Sequence, residues 1–224
     1  MTTTTRILLV RHGATTLSVE DRFAGSTDVD LSDEGRAQVS ALAKRLSGDA
    51  IAAIYSSPMR RTVETATILA GPHGHALVKR DGLKEIDHGR WEGMTRREVE
   101  KSFEGEYASW EEDPFTFAPE GGESGVSVMA RALPVIREIV TTHAGKTVAV
   151  VSHKATIRLV LCSFLGIDAR GYRDRLDQSP ACLNILEFRD PVRARLITYN
   201  DIAHYGPKVA RAGSGQLSKW WDPH

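Results

Sequence analysis

Short apolar runs alternate along the chain with stretches in which apolar residues recur every three or four positions. Ile7 to Val10, Ile51 to Tyr55, Ala76 to Lys79, Thr147 to Val151 and Leu183 to Phe188 read as strands, with a weaker one at Arg195 to Tyr199. Between them, Ser32 caps a helix whose first turn carries Asp33 and Glu34 and whose apolar face is Val39, Leu42, Ala43 and Leu46. Thr62 to Ala70 and the more fully apolar Ile157 to Leu165 are further helices. Val126, Met129, Leu133, Ile136 and Val140 predict the core-facing stripe of a long helix, with a kink expected at Pro134.

This alternation is the pattern of a mostly parallel sheet covered on both faces, so the expected fold is α/β, a three-layer αβα sandwich. The last two strands, separated by Arg189-Asp190-Pro191-Val192, form an antiparallel hairpin and give the sheet one antiparallel edge strand. Residues 102–125 break the alternation. There Trp110, Phe115 and Phe117 mix with acidic residues, Pro114, Pro119 and Gly121-Gly122, which predicts an ordered excursion over the sheet edge. Its aromatics either line a pocket, as a lid would, or build a local core. Residues 1–205 are expected to form one domain and 206–224 a C-terminal tail that includes Trp220-Trp221.

Composition narrows the classes of partner. The 29 Lys and Arg residues balance the 29 Asp and Glu residues, so no global field draws nucleic acid or an anionic membrane. An anionic ligand must be met by a local cluster of arginines. Cys162 and Cys182 are the only cysteines, too few for a disulfide framework and without metal-ligand spacing. The chain start has no signal-like or membrane-spanning run. A soluble cytoplasmic protein is expected, needing no metal and no cofactor, with the edge hairpin and the tail as surfaces for a homodimer.

Four segments place polar residues directly after predicted strands, at the edge where open α/β sheets bind ligands. They are Arg11-His12-Gly13-Ala14-Thr15, Ser56 to Thr62, Leu83 to Gly93, and Ser152-His153-Lys154-Ala155-Thr156. Guanidinium forks match phosphoryl oxygens bidentately, so Arg11 and Arg61 suit a phosphate clamp. A neutral imidazole can attack phosphorus, Glu85 can protonate the leaving alkoxide and later take a proton from water, and a second histidine can donate to an equatorial oxygen. Asp87 and Glu92 compete with Glu85, which is favoured because it follows the strand. His73 and His75, flanking Gly74, have no third ligand nearby and read as a solvated loop rather than a metal site.

This ordered set resembles the histidine phosphatase superfamily, also called phosphoglycerate-mutase-like. The resemblance runs from Arg11-His12-Gly13 through Arg22, Gly25, Asp28, Leu31, Gly35 and Gln38 to Ser57, Arg61 and Thr65-Ala66. It continues with Glu85, Gly89-Arg90-Trp91-Glu92-Gly93 and Gly122-Glu123-Ser124, and ends at Ser152-His153. It implies that His12 is the nucleophile that becomes phosphohistidine and that Glu85 is the proton donor and acceptor. Arg11, Arg61 and His153 would complete the phosphate pocket, and Thr15, Ser18, Ala24 and Gly25 would touch the ligand. His88 is a candidate contact for the organic part of the substrate. Spacing to Thr65-Ala66 selects Arg61 over Arg60.

Two positions depart from the pattern. Ser18 stands where relatives commonly have asparagine, and Lys154 stands where they usually have glycine, adding a candidate positive charge at the mouth. The activity implied is hydrolysis of a phosphomonoester of a small metabolite. The segment from Glu85 to Gly122 is shorter than in dedicated mutases, which favours a phosphatase over a cofactor-dependent phosphoglycerate mutase. The intact set of site residues stands against a catalytically silent phospho-ligand binding module.

Overall fold

The computed structural model describes residues 4–16 and 22–205. Its centre is a six-stranded sheet in the order β3-β2-β4-β1-β5-β6. The strands are β1 (Thr5–Arg11), β2 (Ile51–Ser56), β3 (Leu77–Lys79), β4 (Thr147–Ser152), β5 (Leu183–Phe188) and β6 (Ala194–Asp201). The first four are parallel, and β5 runs against β1. The hairpin partner β6 pairs antiparallel with β5 and forms the edge, so the one reversed strand lies one position in from it.

Seven helices complete the chain among the described residues: α1 (Asp33–Leu46), α2 (Arg60–Ala70), α3 (Arg96–Ser102), α4 (Glu104–Glu112), α5 (Gly125–Thr142), α6 (Lys154–Leu165) and α7 (Tyr172–Arg175). Strand β1 shows why the central strands are apolar at every position. Its Ile7 and Leu9 pack with Ile136, Ile139 and Ile157 of α5 and α6, whereas Leu8 and Val10 face Val39, Leu42 and Leu69 of α1 and α2. Each such buried aliphatic side chain contributes about 1.5–3 kcal/mol. Ser32 caps α1 as expected, its hydroxyl accepting from the Gly35 amide.

Helix α5 departs from its predicted face. Its buried residues are Gly125, Val128, Ala132, Ile136, Ile139 and Val140, while Val126 is 46% exposed and Met129 and Leu133 are only half-buried. The small residues decide this orientation, because a Cβ at Gly125 would lie 2.8 Å from the Phe115 ring and 3.2 Å from Leu159. A stripe drawn through the large residues alone is rotated away from that close contact. Helical structure continues through Pro134, which lies on the exposed side of the helix.

Residues 102–125 contain α4, which the sequence pattern did not reveal, and here the local-core reading holds for two of the three aromatics. Trp110 and Phe117 join Phe23, Trp91, Val99, Tyr107 and Phe103 in a satellite core. Phe115 belongs instead to a cluster with Ile86, Val128 and Leu159. Arg173 of α7 ties α4 to the body of the fold, lying over the Trp110 ring and donating to the Trp110 carbonyl. Among the described residues, no helix is long and apolar enough to cross a membrane. Trp220-Trp221 lies outside the described residues.

The loop after β1 is seated on α1 through two glycines. A Cβ on Gly13 would stand 2.6 Å from the Gly35 carbonyl oxygen, and one on Gly35 would stand 2.1 Å from that of Ala14. Gly35→Ala is therefore expected to lower the unfolding free energy by about 1–3 kcal/mol through overpacking. Urea denaturation checks this, and an unchanged midpoint and slope would contradict the close approach.

Candidate active site

Parallel pairing brings the two strand-end histidines together. Arg11 is in register with Ser152, the His12 amide donates to the Ser152 carbonyl at 3.1 Å, and the rings of His12 and His153 meet edge-on with centroids 5.2 Å apart. The backbone around His12 is held on several sides. Its carbonyl accepts from the Ala181 amide, the Gly13 amide donates to Thr65 Oγ1, and the Ala14 amide donates to Gln38 Oε1. The Ala14 carbonyl accepts from both the amide and the hydroxyl of Ser32. These bonds give physical content to Gln38 and Thr65 in the sequence pattern.

The His12 ring has one defined tautomer. A carbonyl can only accept, so the 2.8 Å contact from Nδ1 to the Gly13 oxygen puts the proton on Nδ1 and leaves the Nε2 lone pair available. Burial pushes this imidazole well below its ordinary pKa, and the charges of Arg61 and Arg11 push it further down, outweighing the Gly13 bond. His153 is also displaced well downwards, by burial first and then by Arg61 and His12. Both rings are therefore neutral near pH 7.

Arg61 lies in the first turn of α2, which starts two residues before the predicted Thr62. It is 2% exposed and all three of its nitrogens are engaged. Nη1 donates to the Thr27 carbonyl at 2.8 Å, Nη2 to the Gly25 carbonyl at 2.9 Å, and Nε to His153 Nδ1 at 3.2 Å. His153 Nε2 in turn donates to Ser57 Oγ at 2.8 Å. The one proton of the neutral His153 ring is therefore on Nε2, and a direct bond from it to a phosphoryl oxygen requires that N–H to leave Ser57 Oγ. Arg60, by contrast, is exposed and pairs with Asp30.

Arg11 donates through Nη1 to the Gln178 carbonyl, and its Nε is buried with no hydrogen-bond partner among the described residues. Glu85 sits at the N-terminus of α6, where Oε2 accepts from the Ala155 amide and Oε1 from the Thr156 amide, each at 3.1 Å. The Thr156 hydroxyl adds a contact at 3.2 Å. Burial lowers the pKa of Arg61, and the leading opposing influence is the charge of Glu85, which places that carboxylate electrically beside the clamp. Of its competitors, Asp87 accepts from the Gly89 amide and from Ser26 Oγ, and Glu92 turns to the loop at Gly25.

Arg131 is a residue that sequence reasoning missed. It donates to the carbonyls of Gly82, Lys84 and Glu85 and forms a two-point ion pair with Glu123, fixing the backbone that carries Glu85. Nothing local marks this role, because the three carbonyls it holds lie 46 to 49 positions away in the chain. Thr15 is buried and bridges to Leu31. Ala24 is half-buried, Gly25 is buried, and Lys154 is the first residue of α6. His88 packs edge-to-face with Phe23, with centroids 5.0 Å apart, which ties its ring to the satellite core. Ser18 lies outside the described residues. His75 Nε2 donates to the Ile51 carbonyl, and no group of three metal-ligating side chains occurs among the described residues.

With this geometry in view, comparison with known proteins is specific. The profile of the histidine phosphatase superfamily (branch 1) matches residues 7–202. Phosphoserine phosphatase 1 of Hydrogenobacter thermophilus is 37% identical over 163 residues, covering 73% of this chain and 77% of its own. Glucosyl-3-phosphoglycerate phosphatase of Mycolicibacterium vanbaalenii is 35% identical over 169 residues, covering 72% and 75%. Among solved structures, Bacillus stearothermophilus YhfR superposes with a TM-score of 0.84 at 30% identity, covering 89% of this chain and 98% of that one. The chain belongs to the histidine phosphatase superfamily, and as a member of it is a phosphoric monoester hydrolase.

NMR titration should place the His12 and His153 midpoints below the ordinary 6.5 of the group. Arg61→Ala should move both upwards, because it removes a positive charge that disfavours the imidazolium. A native midpoint at or above 6.5 for His12 would overturn the assignment. The sign also fixes the stability trend. The unfolded chain binds these protons below its own pKa and the folded chain resists them, so stability falls as pH drops from about 6.5 towards the lowered folded values.

Proposed function

We propose that the chain hydrolyses a phosphomonoester of a small metabolite through a phosphohistidine on His12. The observation that carries this reading is the pairing of a His12 Nε2 lone pair with the clamp of Arg11 and Arg61, in which Arg11 Nε is buried without a partner among the described residues. A phosphoryl oxygen supplies the acceptor that buried donor lacks. In the first step Nε2 forms a bond to phosphorus, the bond from phosphorus to the ester oxygen breaks, and protonated Glu85 gives its proton to the departing alkoxide. In the second, the Glu85 carboxylate takes a proton from water, the water oxygen bonds to phosphorus, and the N–P bond breaks. Inorganic phosphate leaves and His12 is neutral again.

The guanidinium groups neutralise the phosphoryl charge in this route, which runs without a metal or cofactor. His153 holds Arg61 in place before substrate arrives. Thr15, Ala24 and Gly25 are assigned to the inner wall, and His88 and Lys154 to the organic part of the substrate. The relatives named phosphoserine phosphatase and glucosyl-3-phosphoglycerate phosphatase support a small phosphorylated metabolite as substrate and hydrolysis over isomerisation. The two buried free cysteines are in keeping with a reducing cytoplasm.

His12→Ala should reduce turnover of an aryl phosphate by at least about 10³-fold. Steady-state phosphate release measures this, and full retained turnover would refute a covalent role. Glu85→Gln should cost about 10²-fold or more on alkyl phosphates and much less on aryl phosphates, whose leaving groups need little protonation. Equal losses on both substrates would remove Glu85 as the proton donor. Release of free phosphate from 3-phosphoglycerate, rather than its isomerisation with a bisphosphate primer, separates phosphatase from mutase.

A further inference from the structure

Glu92 is half-buried beside the site and makes no hydrogen bond to the His12, Arg11, Arg61, Glu85 or His153 side chains among those described, yet five donors converge on its carboxylate. Oε1 accepts from the amides of Gly25, Ser26 and His88 at 2.8, 2.9 and 3.1 Å. Oε2 accepts from the Thr27 amide at 3.2 Å and the Thr27 hydroxyl at 2.6 Å. Three consecutive amides of the loop at residues 25–27 thus turn inward to one carboxylate. Burial pushes the Glu92 carboxyl up, but the bonds from Thr27, Ser26 and His88 outweigh it and hold the group below its usual range. An ionised acceptor makes stronger bonds to each of these donors than a neutral one.

The same loop presents its carbonyls to the other side. Gly25 and Thr27 are the residues whose oxygens accept from Arg61 Nη2 and Nη1, and Arg61 Nε then reaches His153. The loop has no slack to absorb a shift, since a Cβ at Gly25 would fall 1.7 Å from the Ile86 carbonyl oxygen and 2.8 Å from Glu92 Oε1. We propose that Glu92 is a positioning residue for the phosphate clamp, fixing the loop whose two carbonyls set the Arg61 fork and, through it, the His153 ring. It acts at one remove and does not touch the substrate. This rests on the reading of Arg61 as a phosphate clamp.

A double-mutant cycle on the full chain tests it, with inorganic phosphate and orthovanadate as the probes. Glu92→Gln keeps the size of the side chain but replaces one acceptor oxygen with a donor that faces the loop amides. It should weaken phosphate binding by about tenfold and shift the His153 titration midpoint upwards, in the direction given by Arg61→Ala. In the Arg61→Ala background the same substitution should cost little more, because residues acting through one another are not additive. Independent losses that multiply, or an unmoved His153 signal, would overturn the proposal. If Glu92→Gln does not fold, Thr27→Val removes only the 2.6 Å hydroxyl bond and should give a smaller effect of the same pattern. Arg61→Ala that leaves phosphate affinity intact would refute the clamp itself, a distinct outcome from failure of the Glu92 link.

Discussion

The parallel pairing of β1 with β4 is the constraint on which the rest depends. It ends with the His12 amide on the Ser152 carbonyl, one residue beyond the last in-register pair. A slip of one residue in either strand would turn one histidine to the opposite face of the sheet and exchange its packing from one helical layer to the other. The register is secured because both strands are buried on both sides, with Ile7, Leu9, Val148 and Val150 in one core and Leu8, Val10, Ala149 and Val151 in the other. Stability and catalysis are thus fixed by the same ladder.

What the sheet delivers is a pocket with a defined charge division. Two guanidinium groups and two imidazoles lie together with little water around them, and the arginines keep their charge while the histidines lose theirs. A nucleophile that must be neutral is kept so by the groups that bind its anionic target. The carboxylate at the head of α6 balances part of this charge, and the amides of Ala155 and Thr156 hold it in a single orientation. Arg131, on α5 in the same helical layer as α6, secures the backbone behind it.

Much of this was legible in the sequence. Strand runs bounded by polar segments located all six strands, missing their ends by no more than a few residues, and the same boundaries placed His12, Arg61, Glu85 and His153 at one sheet edge. Period alone misjudged α5, because contact there is made by Gly125 and Ala132, which carry too little hydrophobic weight to show in a stripe of large residues. Helix α4 went unseen because its Glu-rich sequence has only Tyr107 and Trp110 turned inward. The grip of Glu92 on the loop spans 65 to 67 positions, and no spacing rule reaches so far. Contacts set by tertiary closure are written in the fold rather than in any window of sequence.

The satellite core around Phe23, Trp91 and Trp110 has a consequence of another kind. Its residues share no members with the two clusters that sandwich the sheet, and a small core packed apart from them is expected to open at a lower free energy than they do. Phe23 belongs to that small core and touches His88, and Trp91 stands next to Glu92 in the chain. The wall of the pocket is therefore attached to a part of the molecule that can loosen while the sheet stays intact. Hydrogen exchange would see this as two distinct tiers of amide protection within one chain.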